Sequence, residues 1–230
     1  MRKKALWTVF KDTLPVLTGY LFLGIGFGIL LSEKGYGIGW AFAMALFMYA
    51  GSAQYLAVNL LSSGASLISA ALATLFVNAR HIFYGISLVD TYKDMGKKKP
   101  YMIFALTDET YSLVTQNQPP KGMTRGQYCF LVSVMDHIYW VAGCTLGGLL
   151  GAALPINFAG IEFVLTALFV TLFVEQWLTS PNHRSAIIGV ASSALCLLIF
   201  GKDLFLIPSM VAIALLLTIS KKTARRDLDV

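Results

Sequence analysis

Charge is what this sequence has least of. Only 13% of its 230 residues are Asp, Glu, Lys or Arg, while 57% are hydrophobic. A soluble domain carries about 25% charged residues, enough to keep its surface hydrated. A soluble chain of this length would leave much of its surface bare, and the mean hydropathy is +0.68. Cysteine is scarce as well. Cys129, Cys144 and Cys196 stand singly in apolar runs, which gives no support to a disulfide framework or a cysteine zinc site. The sequence also lacks His-Glu-x-x-His and a phosphate-binding glycine loop, so membrane metalloprotease chemistry and direct ATP coupling are unsupported. Gly51-Ser52-Ala53 has no nearby base and is not a serine-nucleophile context. Neither cofactor nor metal is implied.

The charge that is present is segregated. Arg2, Lys3, Lys4 and Lys11 lead, and Lys221, Lys222, Arg225 and Arg226 close. The net charge of +6 forms no basic face, so it does not argue for nucleic acid. The basic residues instead flank apolar stretches of about 20 residues, the length that crosses a bilayer. The leading Arg2-Lys3-Lys4 resembles a signal peptide, but no small-residue cleavage site follows, and the expectation is a retained first helix.

Eight apolar segments stand at roughly 14–31, 38–61, 65–89, 101–117, 128–150, 160–178, 185–200 and 203–219, separated by turn residues such as Ser62-Ser63-Gly64 and Pro119-Pro120. In lipid the backbone must satisfy itself, and alternating strands are absent, so the expected fold is an all-α polytopic membrane protein. It is expected to have about eight transmembrane or re-entrant helices in one domain, 1–230. Ala45-Leu46-Phe47 with Gln54-Tyr55-Leu56 recurs as Ala167-Leu168-Phe169 with Gln176-Trp177-Leu178. That suggests two parallel four-segment halves, 12–117 and 128–220, a habit of transporters. Counting Lys and Arg across eight spans puts both termini in the cytoplasm. The same count leaves Lys97-Lys98-Lys99 outside, unless an early segment is re-entrant.

Charges inside a bilayer cost at least about 2.5 kcal/mol each and need partners or a purpose. Three consecutive segments carry them: Asn78-Ala79-Arg80-His81 with Tyr84 and Gly85, Thr107-Asp108-Glu109 with Tyr111, and Asp136-His137 with Tyr139 and Trp140. On a continuous helix Arg80 and Tyr84 share one face, and Asn78, His81 and Gly85 another. Arg80 can pair with Asp108, Glu109 or Asp136. One reading is a structural ion-pair network. The other is a polar substrate route with a proton pathway through His81, Glu109 and His137. Ala50-Gly51-Ser52-Ala53-Gln54 reads either as close packing or as a locally unwound segment facing substrate. Gly24 with Gly28, and Gly143, Gly147 and Gly151, form small-residue faces suited to docking a partner helix.

Together these stretches resemble the AzlC-type (azaleucine-resistance) branched-chain amino-acid exporters, and the resemblance covers essentially the whole chain. Asn-x-Arg-His, then Asp-Glu, then Asp-His-x-Tyr-Trp is its most specific part. The resemblance implies the large subunit of a bacterial inner-membrane permease, exporting leucine, isoleucine, valine and often methionine. It also implies a small AzlD-type membrane partner. The residue chemistry is compatible: Arg80 suits a substrate carboxylate, Asp108 or Asp136 an ammonium, and Asn78, Gln54 and Tyr84 the polar lining. The remaining rivals are a non-transporting membrane scaffold and an intramembrane enzyme.

Overall fold

The computed structural model describes residues 2–153, 162–179, 182–205, 208–209, 211–213 and 215–219. Positions 206, 207, 210 and 214 within the segment at 203–219, the break at Ser180-Pro181 and the C-terminal basic residues lie outside that set. Among the described residues the secondary structure is entirely helical. The chain divides into two compact units, Met1–Leu165 and Thr166–Val230.

The first unit is built around two long helices, α1 (Arg2–Glu33) and α8 (Arg125–Ala153). They run parallel. Thr13 meets Tyr139, Gly24 meets Gly143 and Cys144, and Gly151 meets Ser32. Glycines allow this approach. A Cβ on Gly24 would sit 2.9 Å from the Cys144 nitrogen, and one on Gly28 or Gly147 would strike the backbone of the other helix. The five glycines expected to dock a partner therefore face each other within one chain. Their close-packing face is already filled, which corrects the docking expectation.

Between these two helices lie α2 (Ile38–Phe47), α3 (Gly51–Ser62), α4 (Leu67–Asn78), α5 (Arg80–Leu88), α6 (Lys99–Phe104) and α7 (Asp108–Gln116). Each apolar segment of the sequence between 38 and 117 is broken near its middle. Positions along α8 give the depth of each piece. α2 starts beside Gly148, and the Tyr49 ring that follows it lies 4.2 Å from that of His137. α3 then returns: Tyr55 donates to the Leu23 carbonyl at 2.7 Å and packs edge-on against Phe27 at 5.6 Å. Val58 joins the cluster that holds Leu30 and Leu31. This hairpin enters and leaves at the C-terminal end of α1.

The second hairpin comes from the opposite end. Lys98 Nζ lies 4.7 Å over the Phe130 ring, Tyr101 reaches His137 Nδ1 at 3.0 Å, and Phe104 packs near His137. α7 runs back, with Val114 in the cluster of Val9, Tyr128 and Cys129, and Arg125 donating to the carbonyls of Val114 and Asn117. Between the hairpins, α4 and α5 together pass for one span, bent by 45°. α5 delivers Leu88 to the Val9 cluster.

Two of the eight apolar segments are thus re-entrant hairpins, and the side assigned to Lys97–Lys99 is corrected. Lys98 shares a recess with Ala5, Lys121 and Gln127, at the end of the unit where α1 begins. That end gathers Arg2, Lys3, Lys4, Lys11, Lys93, Lys97, Lys98, Lys99, Lys121 and Arg125, while the other end has Lys34. The lysine cluster that looked misplaced follows from counting hairpins as spans. The second unit holds most of α9 (Glu162–Thr179) and α10 (Arg184–Leu204), where Trp177 stacks on His183 at 4.1 Å.

Two outcomes check this architecture. A cysteine at position 98 should be labelled by an impermeant reagent from the same membrane face as one at position 3. Background is low because Cys129, Cys144 and Cys196 are buried. Separately, Gly147→Val should cost about 1–3 kcal/mol by forcing α1 and α8 apart. Gly19→Ala, with nothing within 4 Å of the added carbon, should leave the melting temperature in detergent unchanged.

Candidate functional site

The breaks in the three middle segments converge at half depth. In the first, Tyr49 adopts φ +38°, a left-handed conformation uncommon for a residue with a Cβ, and its ring is held against His137. The second is at Ala79, between Asn78 and Arg80. The third spans Ala105–Thr107, and Thr107 caps α7 by accepting from the Thr110 N–H at 3.3 Å. Asp108 and Glu109 occupy the first turn of α7, where the positive end of the helix dipole favours carboxylates.

Arg80 ties the two hairpins together. Its Nη2 donates to Ser52 Oγ at 2.6 Å, in the first turn of α3, and its Nη1 pairs with Asp108 Oδ2 at 2.8 Å. Of the three carboxylates open to Arg80 on sequence grounds, the structure selects Asp108. The other two belong to a second cluster. Tyr20 donates to Glu109 Oε2 at 2.7 Å and touches Thr107 Oγ1 at 2.7 Å. Thr107 donates to Thr110 Oγ1 at 3.1 Å, and Thr110 to Asp136 Oδ2 at 2.8 Å.

Gln54 is buried, and its amide oxygen accepts from Trp140 Nε1 at 2.7 Å. Its Nε2 makes no hydrogen bond, nor do Asp136 Oδ1 and Arg80 Nε. Donors and an acceptor without partners thus occur together around the tips. Gly51 packs against the Trp140 ring, 3.0 Å from where a Cβ would lie, so the small-residue run is both closely packed and next to a break.

Other expected site residues sit differently. The break at Ala79 destroys the helical phase that was to relate Asn78 to His81 and Gly85. Asn78 ends α4, and its carbonyl contacts His81 Nδ1 at 3.0 Å. His81 also packs edge-on against Tyr84, which stacks on Tyr111 at 4.6 Å. His137 bonds Tyr101 and lies between the rings of Tyr49 and Phe104. Sequence reasoning passed over Tyr20, Thr110, Tyr101 and the pairing role of Ser52. Uncharged hydroxyls in apolar segments give little signal until their neighbours are known.

Long apolar helices, re-entrant tips and buried charge at half depth define a helical membrane protein with an internal polar site. A family model described as AzlC protein matches residues 15–154. The branched-chain amino acid transport protein AzlC of Bacillus subtilis (strain 168) is 39% identical over 96% of this chain and 89% of its own length. An uncharacterized membrane protein of Haemophilus influenzae is 43% identical over 94% of this chain and 88% of its own. The inner membrane protein YgaZ of Escherichia coli (strain K12) is 25% identical, covering 86% and 81%. No solved structure matches the chain. The chain belongs to the AzlC family, a family of membrane transport proteins rather than enzymes.

The double attachment of Arg80 yields a double-mutant test. Ser52→Ala should cost about 1.5–3 kcal/mol in detergent, the worth of one hydrogen bond to a charged partner. In an Arg80→Lys background, where one ammonium replaces the planar fork, the same change should be nearly silent. Equal effects in both backgrounds would mean that Ser52 does not depend on the guanidinium.

Proposed function

We propose that this chain is the large subunit of a two-component secondary transporter in a bacterial inner membrane. On this reading it exports leucine, isoleucine, valine and methionine, driven by the proton gradient, together with a small AzlD-type membrane partner. The observation that carries the reading is the meeting of two oppositely inserted hairpins at Arg80, at half depth. Broken helices around a midplane site are the arrangement by which secondary transporters expose one site to alternate sides. The substrate class is supported by the Bacillus subtilis relative, whose name specifies branched-chain amino acid transport.

An amino-acid zwitterion needs donors at its carboxylate, an acceptor at its ammonium and an apolar space for its side chain. Arg80 and the free amide of Gln54 supply donors, and the N-terminal ends of α3, α5 and α7 add positive dipole ends near them. Asp108 and Asp136 supply acceptors, with Asn78 and Tyr84 flanking Arg80 on its own bent segment. An aliphatic pocket discriminates one methylene by only about 1–3 kcal/mol, so the branched substrates and methionine should overlap. A cytoplasmic N-terminus is supported by the ten basic residues gathered at that end of the first unit, on the positive-inside rule. The terminal lysines and arginines support the same side for the C-terminus.

The test is counterflow of labelled leucine in proteoliposomes, with and without the small partner. Saturable exchange competed by isoleucine, valine and methionine is the expected result, reduced in Arg80→Lys. Leucine exchange no faster than in empty vesicles, with the partner present, would reject this reading.

A further inference from the structure

The five oxygens joining Glu109 to Asp136 form an unbroken line. Glu109 Oε2, Tyr20 Oη, Thr107 Oγ1, Thr110 Oγ1 and Asp136 Oδ2 are linked at 2.7, 2.7, 3.1 and 2.8 Å. The ends differ in access. Asp136, Thr110, Thr107 and Tyr20 are buried, whereas Glu109 is partly exposed.

Counting hydrogens along this line gives a definite result. It has four links but only three hydroxyl hydrogens. If both carboxyls are ionised, Tyr20 donates to Glu109, Thr107 to Thr110 and Thr110 to Asp136. The 2.7 Å contact between Tyr20 and Thr107 then has no hydrogen, and two oxygen lone pairs face each other. Reversing Tyr20 only moves the gap to Glu109. One added proton fills every link, in either of two ways. It can sit on Glu109, with each hydroxyl donating towards Asp136, or on Asp136, with each hydroxyl donating towards Glu109.

We propose that Glu109 and Asp136 share a single proton through the hydroxyls of Tyr20, Thr107 and Thr110, and that this line carries the coupling proton between a partly exposed and a buried carboxyl. In one transfer each hydroxyl accepts one hydrogen and gives up another, so one O–H bond breaks at one carboxyl and one forms at the other. Nothing is oxidised, and the line is left reversed. Asp136 keeps a second oxygen, Oδ1, without a hydrogen bond. An ammonium pairing there requires the carboxylate form, so a substrate cation and the shared proton compete for Asp136, and the proton leaves towards Glu109. Around the line, Asp108 on α7 stands beside Glu109 and carries the ion pair with Arg80 of α5. Tyr49 from the first hairpin tip and Tyr101 from α6 stand near Asp136, and His137 of α8 bonds Tyr101. The proposal rests on the transport reading above and extends it to the route of the proton.

Thr110→Val removes one hydroxyl at nearly constant shape and leaves the α7 cap intact, because that cap uses the Thr110 N–H and the Thr107 oxygen. Thr110→Ser restores the hydroxyl. In proteoliposomes, leucine counterflow needs no net proton movement, whereas gradient-driven leucine accumulation does. Thr110→Val should lose gradient-driven accumulation, and Thr110→Ser should recover it. Accumulation by Thr110→Val equal to that of the unaltered chain would overturn the line. Absence of leucine counterflow in the unaltered chain would instead strike the substrate reading and leave the proton line to a second measurement. That measurement is the infrared carboxyl stretch of the purified complex, titrated with pH. A shared proton gives an upper step, well separated from loss of the second proton, that both Glu109→Gln and Asp136→Asn alter, and Tyr20→Phe brings the two steps together. A titration unchanged by Tyr20→Phe would overturn the proposal whatever the substrate is.

Discussion

One guanidinium holds the centre of this protein. Arg80 lies on a bent segment between two hairpins that enter from opposite ends, and it reaches the first turn of each hairpin's second helix. Inside a bilayer a broken backbone leaves N–H and C=O groups without water, at several kcal/mol apiece unless protein surrounds them. The hairpin tips can exist only if they are enclosed and held in register. Arg80 does the holding through Ser52 and Asp108, while Thr107 and the N-terminus of α7 satisfy one exposed turn. A charge that would be a liability alone is therefore what lets the chain keep three breaks at one depth.

The glycine seam between α1 and α8 is the frame on which this depends. Parallel helices at backbone contact gain dispersion along their length, and they leave a narrow polar strip where Tyr20 and Asp136 face the tips. Tyr20 stands at the junction. It packs edge-on against Trp140 at 5.3 Å, which fixes its ring, and its hydroxyl closes the line from Glu109 to Thr107. Packing and proton chemistry thus meet in one side chain from an otherwise apolar stretch.

Much of this was legible in the sequence, and for identifiable reasons. The scarcity of charge forces a membrane class, and self-satisfaction of the backbone forces helices. The cost of burying Arg80, Asp108, Glu109 and Asp136 marks them as a set. The glycines were recognised as packing faces but given the wrong neighbour, because spacing alone cannot say whether a close-packing face meets another chain or another helix of its own. The run Ala50–Gln54 left two readings open, and both hold: Gly51 is packed on Trp140 while Tyr49 beside it bends the chain.

By itself the sequence determined the solvent. Its composition permits only lipid around most of its length, and its charge pattern permits only a few positions at which polar chemistry can occur. The tertiary structure decided the path of the chain. A twenty-residue apolar segment has the same hydropathy whether it crosses the bilayer or turns back halfway, because hydropathy is a sum over residue types and is blind to the route. The turn is stabilised by distant partners, Tyr49 on His137 and Arg80 on Ser52 and Asp108, and such contacts carry no local periodicity. For the same reason Lys97–Lys99 could be placed only with α6 starting beside Phe130, and the hydroxyls of Tyr20, Thr107 and Thr110 form a line only because two separate segments, α1 and α7, bring them within hydrogen-bonding reach.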